Sequence, residues 1–243
     1  MNNPAHTPGQ DHGKDMEKIS FDDGVTWSDA SELVFTGKHA FKNYGALIGP
    51  SNGIFNKETN MTYFMGHKGY ENGGFLYFSN SNDRKKWTMS KTLKGMNECS
   101  IAFLNATKND QIIMSCRTGK ARAKLIFSAD GKLIGNIEYP PIYNVDPSCQ
   151  GSIINGGSPN NILYTSNANN DKERVNMTIK RSLDHGMTWE IFRVVWKGPS
   201  GYSQLIVLNE HELGLLFECG TVGFSHNYMK HTIPMYPLLR LYT

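Results

Sequence analysis

From Lys18 onward, short runs rich in β-branched and aromatic residues alternate with clusters of Asn, Asp, Gly, Ser and Pro. The runs include MTYFMGH, GGFLYFS, CSIAFLN, QIIMSCR, AKLIFSA, GSIING and NILYTS. Runs of this length and composition, bounded by turn-forming residues, read as strands. No window of about twelve residues carries an i, i+3, i+4, i+7 apolar stripe, so helices should be few and short. The pattern therefore predicts an all-β fold. Residues 1–17 are polar and carry prolines and glycines, which predicts a disordered arm ahead of one β domain over 18–243.

An internal repeat refines this picture. Ser20 to Trp27 reads SFDDGVTW and Ser182 to Trp189 reads SLDHGMTW; both fit S-x-D-x-G-x-T-W. Two eroded copies lie between them, FSNSNDRKKW ending at Trp87 and FSADGKL from Phe127 to Leu133. The four serines Ser20, Ser81, Ser128 and Ser182 are 61, 47 and 54 residues apart, which suits a four-stranded propeller blade of roughly 40 to 60 residues. The motif has a local cause. Ser and Asp side chains accept hydrogen bonds from nearby backbone N–H groups and close a turn, and Gly24 and Gly186 supply positive φ. Trp27 and Trp189 are expected to pack the returning strand against its blade. The Asp residues thus read as structural rather than catalytic.

Charge adds mainly exclusions. With 25 Lys and Arg against 22 Asp and Glu, the net charge is +3, which gives no reason for a nucleic-acid partner. An anionic small ligand remains compatible. No stretch approaches the roughly 18 apolar residues of a spanning helix, and the opening residues lack a signal-peptide core. No His, Asp and Glu cluster has metal-ligand spacing, so neither a metal nor another cofactor is implied. His67 reads as a loop residue. The four cysteines, Cys99, Cys116, Cys149 and Cys219, are too few and too scattered for a zinc framework. Cys99 and Cys116 can pair across a hairpin, but buried free thiols are the favoured reading. The sequons at Asn60, Asn105 and Asn176 do not decide a compartment.

The repeated box resembles the Asp-box of the sialidase (neuraminidase) superfamily of β-propellers. Further segments are similar to those of animal sialidases and stand in the same order: GPSNGI (49–54), GHKG (66–69), NECSIAFLNATKNDQIIMSCR (97–117), CQGSII (149–154), RVNMTIKRSLDHGMTW (174–189) and GPSGYSQLIVLNEHELGLLFE (198–218). The wording around Arg174 and Tyr202 looks closest to the lysosomal type. The resemblance implies a six-bladed propeller, of which about four blades are covered here. It implies an exo-α-sialidase that releases terminal sialic acid with retention from glycoproteins, glycolipids, gangliosides or oligosaccharides. Tyr202 matches the nucleophile, Glu98 the carboxylate that hydrogen-bonds it, and Arg117 and Arg174 two of three arginines that clamp the substrate carboxylate. A neutral tyrosine avoids the like-charge repulsion that a carboxylate nucleophile would meet beside that substrate carboxylate. Arginine suits the clamp because it is planar, always charged and bidentate. Taken alone, Tyr202 could be a rim aromatic, Arg117 a blade-edge cap and Glu98 a turn carboxylate. Glu218 also matches a family position, with a structural role expected.

The family's first clamp arginine, in an Arg-Ile-Pro segment, and its acid/base aspartate have no match upstream of Ser20. Asp11, Asp15 and Glu17 lie in the polar arm. The chain is therefore expected to be an incomplete sialidase of impaired activity, with a tail after Glu218 that departs from the family's last strands. The alternatives are an inactive propeller that binds sialylated glycans and an Asp-box scaffold that makes protein contacts. The resemblance suggests a lysosomal or other endomembrane location, with the cytoplasm as alternative; oligomeric state is open.

Overall fold

The computed structural model describes residues 15–40, 46–68, 73–80, 86–157, 160–220 and 238–242. Every regular element among them is a β-strand. A short ribbon pairs β1 (Met16–Glu17) with β2 (Ser31–Glu32). The end of the expected arm is thus part of the fold, and the Asp15 carboxylate accepts the Ala46 N–H at 2.7 Å. The rest of that arm lies outside the described residues.

Three sheets and a partial fourth follow. The first holds β3 (Val34–Thr36), β4 (Leu47–Ile48), β5 (Ile54–Asn56), β6 (Met61–His67), β7 (Gly74–Asn80) and β8 (Lys86–Met89), in the order β3-β8-β7-β6-β4 with β5 also on β6. The second runs β9 (Cys99–Phe103), β10 (Gln111–Arg117), β11 (Arg122–Ser128) and β12 (Leu133–Glu138), each antiparallel to the next. The third runs β13 (Ser152–Asn155), β14 (Leu163–Ala168), β15 (Val175–Ser182) and the first half of β16 (Glu190–Asn209). The second half of β16 leaves that sheet and pairs with β17 (Glu212–Cys219), which pairs with β18 (Leu238–Tyr242). The tail after Glu218 thus adds a strand to the sheet; residues 221–237 lie outside the described residues.

Alternation explains how the sheets stack. On β9 and β10, Cys99, Ile101, Ile112, Met114 and Cys116 point towards the first sheet, where they meet Tyr63, Met65 and Leu76. The intervening Ala102 and Ile113 point the other way and meet Tyr143, Ile153, Leu163 and Trp189. Each such side chain, when fully buried, contributes about 1.5–3 kcal/mol, so a strand apolar on both faces glues two neighbours. The innermost strands touch edge to edge. Ile153 N–H donates to Ser100 Oγ at 3.0 Å and Leu205 N–H donates to Ser152 Oγ at 3.1 Å.

The repeated box folds as its composition predicts. In the second copy Gly186 N–H donates to Ser182 Oγ at 2.8 Å, Thr188 N–H to Asp184 Oδ1 at 2.8 Å, and the Trp189 indole N–H to Gly186 O at 3.2 Å. The first copy repeats this at Ser20, Asp22, Gly24, Thr26 and Trp27. Gly24 and Gly186 take φ of 85° and 83°. The third copy keeps the Ser128–Asp130 hydrogen bond and a positive φ at Gly131. Ser81 lies outside the described residues. The copies differ in packing. Trp189 is buried 4.7 Å from the Tyr143 ring, whereas Trp27 stays 59% exposed, so its expected packing on a blade is not found. The second box docks because the Lys124 ammonium of β11 donates to Gly186 O at 2.8 Å and Ile113 lies beneath the glycine.

Candidate active site

Glu98, Arg117, Arg174 and Tyr202 come from three different sheets, and the structure gathers them at one end of the innermost strands. Glu98 immediately precedes β9 and Arg117 ends β10. The two strands pair Cys99 with Cys116, and the ladder continues outward through Arg117 N–H to Glu98 O at 3.1 Å and Asn97 N–H to Arg117 O at 2.9 Å. With period two, Glu98 and Arg117 share the side of Ser100 and Ser115, opposite the cysteines. Their side chains meet at 2.5 Å, Arg117 Nη1 to Glu98 Oε2, with both 15% exposed.

Tyr202 arrives from across the centre. It lies where the β16–β17 register slips, since Ser200 faces Cys219 while Ser203 faces Phe217. The one extra residue forms a bulge, a device that re-aims a side chain. Glu218 holds the bulge by accepting the Tyr202 N–H at 2.9 Å, and a Cβ on Gly201 would collide with its Oε2. That is a structural contact. The Tyr202 hydroxyl donates to Glu98 Oε1 at 2.5 Å and accepts from Arg117 Nη1 at 3.5 Å. One carboxylate therefore takes a phenol on one oxygen and a guanidinium on the other. Burial and the Glu98 carboxylate raise the Tyr202 pKa, with Arg117 opposing, so the phenol stays protonated until a proton acceptor acts.

Arg174 lies in the β14–β15 connection, where its carbonyl accepts the Ser200 N–H at 2.8 Å. Its guanidinium carbon stands 5.8 Å from the Tyr202 ring centre, and its buried Nε has no hydrogen-bond partner. A buried guanidinium nitrogen left in this way suits an incoming anionic oxygen.

The segment before β13 supports both halves of the site, and residue patterns alone did not reveal this. Ser148 Oγ accepts from Arg117 Nε at 3.4 Å and donates to Thr118 O at 2.7 Å. Gln150 Oε1 accepts the Ser203 N–H at 2.8 Å, beside Tyr202. Beneath them Asp146 accepts from Arg122 Nη2 at 2.7 Å and from the Cys149 N–H at 2.8 Å; both charged side chains are fully buried. Buried Lys180 donates to Tyr143 O at 3.4 Å and Val145 O at 3.3 Å. Burial first, then the Arg122 charge, push its pKa down to about 7 against the pull of Asp146. The CQGSII segment contained the only hint of this platform.

Two expectations are corrected. His67 is not a loop residue: it ends β6, is buried, and feels the charges of Glu98 and Arg117, while burial lowers its pKa. Cys99 and Cys116 are joined as a disulfide, because they are direct cross-strand partners, while Cys149 and Cys219 are buried and free. Among the described residues no group of His, Cys, Asp and Glu is placed to hold a metal ion, and no helix is long and apolar enough to cross a membrane.

A family model described as a BNR repeat-like domain matches residues 5–217. The chain belongs to the BNR repeat-like family. A sialidase of Bacteroides fragilis (strain YCH46) is 27% identical over 238 residues, which is 92% of this chain and 43% of that protein. A sialidase of Micromonospora viridifaciens is 36% identical over 83 residues, covering 31% of the chain and 13% of that protein. The chain spans less than half of each. Among solved structures, the leech intramolecular trans-sialidase shares 19% identity with a TM-score of 0.72, over 93% of this chain and 36% of its own. The Hadza microbial sialidase Hz136 shares 23% with a TM-score of 0.69, over 84% and 41%. This BNR repeat-like chain thus resembles proteins named sialidase and has the fold of sialidase β-propellers; an animal or lysosomal subtype does not follow from these matches.

Proposed function

We propose that the chain is an exo-α-sialidase acting with retention on terminal sialic acid of glycoproteins, glycolipids or oligosaccharides. The observation that carries the reading is the phenol of Tyr202 held by a carboxylate, Glu98, which also pairs with Arg117, beside the unpartnered Nε of Arg174. In this reading Arg174 and Arg117 bind the sialic acid carboxylate. The Tyr202 oxygen forms a bond to the anomeric carbon, its proton passes to Glu98, and the bond to the leaving oxygen breaks. The leaving oxygen takes a proton from a donor outside these four residues. Water then displaces the tyrosyl oxygen by the reverse path, regenerating the phenol and retaining configuration.

The test is hydrolysis of a fluorogenic α-sialoside by the wild type and by Tyr202→Phe and Glu98→Gln. Turnover lost with Tyr202→Phe, and lowered by about 10²–10⁴-fold in Glu98→Gln, is expected. Arg174→Lys should weaken sialoside binding. Binding without turnover in a folded wild type would replace the enzyme reading by a sialic-acid-binding module. Neither binding nor turnover would leave a protein-contact scaffold. The Cys99–Cys116 bond supports the lysosomal or endomembrane location over the cytoplasmic one, because disulfides persist in oxidising compartments.

A further inference from the structure

Glu98 immediately precedes β9, and Arg117 is the last residue of β10, paired on its other side with Arg122 of β11; the β9–β10 register itself stops one position inward, at Cys99–Cys116, so the two site residues face each other at the end of that ladder. Ladder ends open with little free energy, whereas mid-strand residues open only with the whole unit. Two backbone hydrogen bonds, at 3.1 Å and 2.9 Å, hold the strands together outside the last pair. That is little restraint for a carboxylate that must keep a phenol and a guanidinium both at 2.5 Å. The cross-strand pair next inward is Cys99–Cys116, joined covalently. Each cysteine is the chain neighbour of one of the two site residues. Because side chains alternate, the sulfurs point into the core among Met65, Leu76, Met96 and Leu125, with no exposure, while Glu98 and Arg117 point into the site.

We infer that the Cys99–Cys116 disulfide is a positioning clamp for Glu98 and Arg117. It fixes the separation of the two strand ends from behind, so that the ion pair and the Tyr202 hydrogen bond keep their geometry. The sulfurs touch no reacting atom; the pair acts through its neighbours. The inference deepens the sialidase reading and rests on it for its kinetic consequence, but its structural consequence is independent of any substrate.

The test compares wild type with Cys99→Ala/Cys116→Ala and with Cys99→Ala/Cys116→Val, the second partly refilling the sulfur volume in case the first folds poorly. Hydrogen–deuterium exchange is read at the amides of Asn97 and Arg117 and at those of Ile113 and Leu125 deeper in the sheet. A clamp predicts at least about tenfold faster exchange at the first two and little change at the second two. With a fluorogenic α-sialoside, kcat should fall about tenfold or more because Glu98 is misplaced, and KM should rise as well because Arg117 binds the substrate carboxylate. Exchange rising equally across all four amides would mean a purely structural crosslink and overturn the inference. Unchanged exchange at Asn97 and Arg117 would overturn it too, as would local loosening with kcat intact. If the wild type does not turn over the sialoside, the sialidase reading fails on its own, and the exchange pattern alone decides whether the clamp exists.

Discussion

Asp184 shows how a single residue in a turn can carry stability without chemistry. Burial raises its pKa, but hydrogen bonds from the Thr188 hydroxyl and N–H and from Ser182 outweigh that and bring it to about 2. The folded value lies below the roughly 3.9 of an unfolded aspartate, so the contribution is present above pH 4 and is lost as pH falls towards 2. Asp184→Ala should therefore lower stability by about 1–3 kcal/mol at pH 7 and flatten the acid limb of the unfolding curve, measured by urea denaturation at several pH values. Gly186→Ala should also destabilise, since φ is +83° and the new Cβ would sit 3.1 Å from Ile113 Cδ1. These features were legible from composition, because every partner lies within a few positions of the next. Glu218 was legible only as a family position; the bulge that gives it the Tyr202 N–H involves a strand sixteen residues away.

At the level of elements, the segment between β12 and β13 serves as a platform. It carries Ser148 under Arg117 and Gln150 beside Tyr202, and Arg122 and Asp146 anchor it from below. Removing one partner of a fully buried ion pair strands the other, at a cost of about 3–5 kcal/mol. Asp146→Ala is expected to cost that much in chemical denaturation, because Arg122 and Lys180 would remain without their counter-charge. Arg122→Met with Asp146→Leu should cost markedly less, a contrast that separates the pair's role in setting geometry from net stabilisation. The strands β6 and β10 run over the same residues that the alternating pattern marks as MTYFMGH and QIIMSCR. The pairing of Cys99 with Cys116 was one of two open readings, and register decided it.

On the scale of the whole molecule, the seam between the second and third sheets buries a cation. Lys180 is fully buried with its pKa pushed down to about 7, whereas an unfolded lysine holds its proton to roughly 10.4. Between those values the unfolded chain binds more protons, so this group makes stability rise with pH from about 7 to 10. The melting temperature of wild type should accordingly gain more between pH 7 and pH 9 than that of Lys180→Met. The outer strands leave apolar side chains in solvent, among them Leu47, Ile48 and Phe55 near one edge of the stack and Ile206, Val207 and Leu216 near the other. Exposed β surface of this kind favours association. Placing lysine at Leu47 and Leu216 should raise the concentration at which light scattering first detects oligomers.

The sequence by itself determined what depends on near neighbours: the alternation that makes strands, the Ser-Asp-Gly-Thr-Trp turns, and the repeat that sets blade length. It also singled out Glu98, Arg117, Arg174 and Tyr202 as candidates, through segments similar to a known family rather than through spacing. Tertiary structure alone decided that Tyr202 meets Glu98 across 104 positions and Arg117 across 85. It decided that His67 is buried at the end of β6, within electrostatic reach of Glu98 and Arg117, and that Trp189 is buried while Trp27 is not. The physical reason is one of range. Turn hydrogen bonds and side-chain alternation are satisfied within a few residues, whereas side chains from separate sheets converge only after apolar faces have stacked those sheets and brought their innermost strands edge to edge.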